Sequence, residues 1–127
     1  MICEHCKKII EQQLPLSEKI MRVIAWEHQL TPRILKSRAK APEIVAARRR
    51  VWWEMSIVNR WSLPVAGRVS GGFDHTTVLH GIRKLAQERY GMPFRSGLED
   101  IRRAWVLDPD SHPLVEIENN QETGEAA

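Results

Sequence analysis

The sequence predicts an all-α fold, a bundle of about five to six helices built around a helix-turn-helix. Three observations predict it. Apolar residues recur at three- and four-residue spacings from Leu16 onward, which is the helical period. No stretch of useful length alternates as a strand would, and there is no internal repeat. Finally, two short apolar-periodic segments are joined by the pair Gly71-Gly72, the pattern of two helices meeting across a tight turn.

The elements follow in order. Residues 1–16 are polar and read as an N-terminal extension. Leu16, Ile20, Val23 and Ile24 then define a helix over about 17–28, with Ser17 as its candidate N-cap. Thr31-Pro32 is a cap followed by proline at the first helical position, opening a short helix to Leu35. KSRAKAP, residues 36–42, is a basic loop, and Pro42 suits the first turn of the next helix. That helix, about 43–61, is expected to be the longest, burying Ile44, Val51, Trp52, Met55 and Val58. Its Arg48, Arg49 and Arg50 cannot all point one way on a 3.6-residue period. At least one is expected to brace the core side or a neighbouring helix, and the others can reach phosphates.

Ser62 caps a helix over about 63–69, and Ser70-Gly71-Gly72-Phe73 makes the turn. The next helix starts at Asp74 and stops at Gly91, with Val78, Leu79, Ile82, Leu85 and Ala86 on its apolar face. Thr76, His80, Lys84 and Gln87 fall on the opposite side. A last amphipathic helix, about 96–106, uses Leu98, Ile101 and Trp105. The domain so defined spans 17–106, and 107–127 reads as an acidic disordered tail.

Charge separates the same way. All nineteen Lys and Arg lie at or before Arg103 with ten of the sixteen acids, so residues 1–105 carry +9. Residues 106–127 hold six acids and no Lys or Arg, hence −6. A basic domain beside an acidic tail fits a polyanionic partner and a tail able to screen it. No run approaches the roughly 18 apolar residues of a membrane span. The N-terminus lacks the apolar stretch of a secretory signal, and two cysteines without an export signal fit a reducing compartment. A cytoplasmic, nucleoid-associated location is the expectation.

Few residues suggest other chemistry. Cys3-x-x-Cys6 with His5 hints at zinc, but a structural site takes four ligands, and His28 and His112 stand alone. Free thiols are expected, with no metal or other cofactor. No nucleophile–base grouping or paired carboxylates stand out, so the chain does not read as an enzyme. In a helix-turn-helix the first residues of the second helix meet base edges in the major groove. Here those are Asp74, His75, Thr76 and Thr77. Carboxylates accept from cytosine N4, and threonine methyls pack on thymine methyls.

SLPxxGxxxGGxDHTTVLHxxRK, residues 62–84, closely resembles the signature of domain IV, the DNA-binding domain of the bacterial chromosomal replication initiator DnaA family. The upstream KSRAK…VAARRRV resembles that family's basic loop and long helix, and the likeness covers about 17–90. It implies a helix-turn-helix bundle of the Trp-repressor and replication-initiator type. It further implies that Asp74, His75, Thr76 and Thr77 read the major groove of an asymmetric TTATNCACA-type box, so that the chain binds as a monomer. Leu63 and Pro64 correspond to the Leu-Pro that packs on thymine methyls and backbone. Lys40, with Arg38 nearby, takes the place of the family's minor-groove arginine. Phe73 stands where the family usually has a basic residue, and Ser56 where it often has a lysine near phosphate; both departures imply weaker phosphate anchoring. With Arg48, Arg50, His80 and Lys84 these residues make up the candidate double-stranded DNA surface.

GxxxxGK[ST] is absent, so the reading domain is expected without the family's ATPase module. The expected role is that of an accessory factor at initiator boxes, modulating replication initiation. Two alternatives remain open: a transcription regulator, phage-derived or not, and an interaction module that binds the full-length initiator itself.

Overall fold

The computed structural model describes residues 3–109. Among them are seven α-helices and no strand: α1 (Glu4–Glu11), α2 (Leu16–Glu27), α3 (Pro32–Leu35), α4 (Pro42–Trp53), α5 (Leu63–Val69), α6 (His75–Tyr90) and α7 (Leu98–Leu107). The acidic stretch from 110 to 127, and His112 within it, lies outside the described residues.

Local chemistry sets most of the helix ends. Thr31 Oγ1 accepts from the Ile34 N–H at 3.2 Å and Ser62 Oγ from Val65 at 3.3 Å, so each hydroxyl satisfies an orphan donor of its first turn. Gly91 ends α6 with φ +67°, its N–H donating to Gln87 O at 3.0 Å. Ser17, by contrast, does not cap α2. Pro15 takes that position, and Ser17 lies inside the first turn. The polar extension also contains more than the sequence indicates, because Glu4–Glu11 folds as α1 and buries Cys6 and Ile9 in the core.

The expected long helix departs from regularity. α4 is regular only to Trp53 and then widens into a π turn over Glu54–Val58. The Asn59 N–H reaches back to Glu54 O at 3.1 Å, and Asn59 Nδ2 donates to the same carbonyl at 2.8 Å. The wider turn is where a helix accommodates one extra residue. Every position from Val51 to Val58 is buried. A one-sided helix cannot bury eight consecutive residues. This segment is the axis of the domain, with α2, α5, α6 and α7 packed around it.

Trp53, Met55 and Ile57 on this axis meet Ile20 and Ile24 of α2, Ile82 of α6 and Ile101 of α7 in one core cluster. Trp52 holds the helix-turn-helix against it. Its indole Nε1 donates to Ser70 Oγ at 3.0 Å, and Ser70 Oγ donates to Gly67 O at 3.2 Å, which fixes the end of α5. The other edge of the same ring lies against α6 at Gly81, where a Cβ would come within 2.6 Å of it. One side chain thus sets the seats of both helices. Among the tryptophans Trp26 is the exception to a core role: it is half-exposed and stacks on His5.

Candidate nucleic-acid interface

The turn between α5 and α6 is built to expose the start of α6. Gly71 and Gly72 adopt φ +131° and +81°, values that side chains disfavour. Gly67 lets the chain fold back, its carbonyl accepting from both Gly72 N and Phe73 N at 2.9 Å. Asp74 then caps α6, accepting from the Thr76 N–H at 3.0 Å and from the Thr76 hydroxyl. These bonds, the hydroxyl's first, hold the exposed Asp74 carboxyl below its ordinary value. A depressed folded value means that the cap's contribution is complete above the unfolded pKa and is lost as pH falls through the folded one. The His75 ring stands 3.7 Å from the same carboxylate.

Asp74, His75, Thr76 and Thr77 are all exposed, while Val78 behind them is fully buried. His75, which a helical wheel puts on the apolar side, is nevertheless exposed. His80, one turn on, is exposed and meets Phe94 edge-on at 4.8 Å, and Lys84 is half-buried on the same strip. At the start of α5, Pro64 is exposed and Leu63 is half-buried against the core.

The basic loop is fastened to this turn. Arg38 Nη2 donates to Gly71 O at 3.0 Å and to Gly72 O at 3.1 Å, and its guanidinium lies 4.3 Å from the centre of the Phe73 ring. The Arg48 guanidinium also approaches that ring, at 5.1 Å, and the ring meets Trp52 edge-on. Phe73 is therefore not simply a missing positive charge. It gathers two cations by their attraction to an aromatic face and joins the loop to the helix-turn-helix. Lys40 remains exposed at the end of the fastened loop.

Two of the arginines do structural work here. Arg48 is buried, with Nε donating to Leu35 O at 2.8 Å and Nη2 to Ser37 O at 2.6 Å. These bonds tie the end of α3 to α4 and fix where the basic loop begins, so this side chain is the brace that the helical period required. Arg50 pairs with Glu27 Oε1 at 2.9 Å and with His28 Nε2 at 3.0 Å, which points it toward α2. Burial, and secondly the Arg50 charge, keep His28 below its ordinary pKa.

Ser56 requires a correction. It is fully buried within the π turn, and its carbonyl accepts from Arg102 Nε at 3.0 Å. A serine enclosed in this way faces the core and not a phosphate. Sequence reading also passed over Gly81, for which a glycine in mid-helix was the only signal. No group of three or more His, Cys, Asp or Glu able to hold a metal occurs among the described residues, and no helix among them is long and apolar enough to cross a membrane.

Comparison with known proteins agrees with this geometry. Residues 17–85 match the family described as the bacterial DnaA protein helix-turn-helix. The chain is 37% identical over 84 residues to the chromosomal replication initiator protein DnaA of Mesorhizobium japonicum, covering 66% of this chain and 17% of that protein. It is also 37% identical over 68 residues to the DnaA of Brucella abortus, covering 54% of this chain and 14% of the relative. The same values hold for the Rhodopseudomonas palustris strain BisB5 protein, at 37% over 68 residues. The chain thus spans less than a fifth of the length of these relatives. No solved structure matches.

Proposed function

Because the chain belongs to the bacterial DnaA helix-turn-helix family, we propose that it binds double-stranded DNA at DnaA-box-like sites and modulates replication initiation as an accessory factor. The observation that carries this reading is the joint exposure of two potential readers on one fastened frame. The first turn of α6 presents Asp74, His75, Thr76 and Thr77, and Arg38 bonds the Lys40 loop directly to the turn before that helix. A helix N-terminus bearing short polar side chains suits major-groove base edges. A basic loop held beside it suits the neighbouring backbone and a narrow minor groove.

The roles divide accordingly. Asp74 to Thr77 read bases, with His80 and Lys84 further along the same face. Leu63 and Pro64 at the start of α5 pack on thymine methyls and sugar–phosphate backbone. Lys40 takes the minor-groove position, and Arg38 orients it through the two carbonyls it holds. Arg48 and Arg50 act by placing the loop and α4 relative to α2. The box is asymmetric, so one chain reads it as a monomer. The reading motif is the part shared with full-length initiators, and the 127 residues contain no phosphate-binding loop. Occupancy of boxes next to the initiator, in the nucleoid, is thus the activity these residues can supply.

A genome-wide map of bound DNA tests the replication role. Occupancy should concentrate on box clusters at the replication origin. Peaks confined to promoters distant from the origin would replace the accessory role with transcriptional control.

A further inference from the structure

We propose that Cys3 and Cys6 form a dithiol redox site, in which exposed Cys3 attacks an oxidant of the disulfide class and buried Cys6 resolves the product. The two thiols sit at the N-cap and third position of α1 in sharply different surroundings. Cys3 is exposed, and its Sγ accepts from the Cys6 N–H at 3.3 Å. The Cys6 thiol is a second donor to it, with smaller help from the His5 N–H and from the indole of Trp26 on α2. The His5 ring stacks on that indole at 3.8 Å and an interplanar angle of 20°. The stack lays the half-exposed Trp26 ring of α2 against the first turn of α1.

Donors converging on one sulfur favour its thiolate, and Cys3 accordingly lies below the ordinary thiol value. Cys6 is pushed the other way, to about 12, chiefly by burial and then by its bond to Cys3, by the Cys3 charge and by Glu27. The pair is thus divided into an attacking thiol and a reserve thiol. Helix positions three apart place their Cβ atoms about 5–6 Å from each other. A disulfide needs roughly 3.5–4.5 Å. Cys3 is the cap, with extended φ and ψ of −73° and 162°, and although its carbonyl accepts from Lys7 N–H at 2.9 Å, its side chain can turn about χ1 to close the difference.

The chemistry balances with a small disulfide such as glutathione disulfide. The Cys3 thiolate attacks one sulfur of the disulfide, forms a mixed disulfide and expels one thiolate. Cys6 loses its proton to that thiolate or to solvent. Its sulfur then attacks Cys3 and expels the second thiolate, leaving a Cys3–Cys6 disulfide and two reduced thiols.

Acid-quenched mass spectrometry after incubation of the full chain with glutathione disulfide tests this. The parent should lose two hydrogens and retain no glutathione. Cys6→Ala should trap one glutathione on Cys3, and Cys3→Ser should leave Cys6 unmodified. A parent that keeps a stable glutathione adduct, or a Cys3 no more reactive than free glutathione toward iodoacetamide at neutral pH, would overturn the proposal.

Discussion

Gly67→Ala should lower the melting midpoint by roughly 10 °C, corresponding to about 2 kcal/mol, and should weaken DNA binding with it. A Cβ at this position would overlap the Phe73 carbonyl oxygen and lie 3.3 Å from Val78 Cγ2. The first obstacle is backbone, so it cannot rotate away as a long side chain would. Relief would require α5 to move off the entry to α6, breaking the bonds from Gly72 and Phe73 to the Gly67 carbonyl. Alanine's better helix propensity offsets only about 1 kcal/mol of that cost. Thermal unfolding followed by circular dichroism checks the prediction. A midpoint within about a degree of the parent would mean that α5 and the turn are not packed as described.

Thr76→Ala should cost roughly 1–3 kcal/mol of discrimination at one base position of the box, with little change in stability. The two effects separate because alanine keeps the backbone N–H that donates to Asp74, so the cap on α6 survives. The methyl is lost, and so is the exposed hydroxyl's own bond to the Asp74 carboxylate, which leaves the cap with its backbone donor alone. Asp74→Ala should lower both discrimination and stability, since that carboxylate accepts from the Thr76 N–H as well as facing outward. Affinities for a panel of single-base box variants, measured beside thermal melts, distinguish the cases. A Thr76→Ala protein with unchanged base preference would leave the cluster as a cap alone.

The parts legible in the sequence were those whose signals are local. Thr31, Ser62 and Asp74 cap by side chains a few atoms from the donors they satisfy, and Gly91 stops α6 through its own φ. The elements that escaped notice depend on neighbours distant in sequence. α1 gains its place by burying only Cys6 and Ile9 within a polar run, too few residues to establish a period. The π turn falls where Glu54–Val58 is enclosed by α2, α5 and α7, and nothing within EMSIV announces an extra residue. For the candidate interface, the period showed that the three arginines must diverge. It could not say that Arg48 would turn inward to Leu35 and Ser37. Nor did the sequence show Phe73 standing between Arg38 and Arg48, because that contact joins residues about 25–35 apart in the chain.

Specific reading of an asymmetric box is tested most directly by fluorescence anisotropy with a TTATNCACA duplex and a scrambled duplex of the same composition across a salt series. Both affinities should fall steeply as salt rises, since phosphate contacts release counterions. The box should nevertheless bind more tightly at every salt concentration, and its advantage should persist as the scrambled duplex loses its hold. Equal affinities for the two duplexes throughout the series would contradict sequence-specific recognition by Asp74, His75, Thr76 and Thr77.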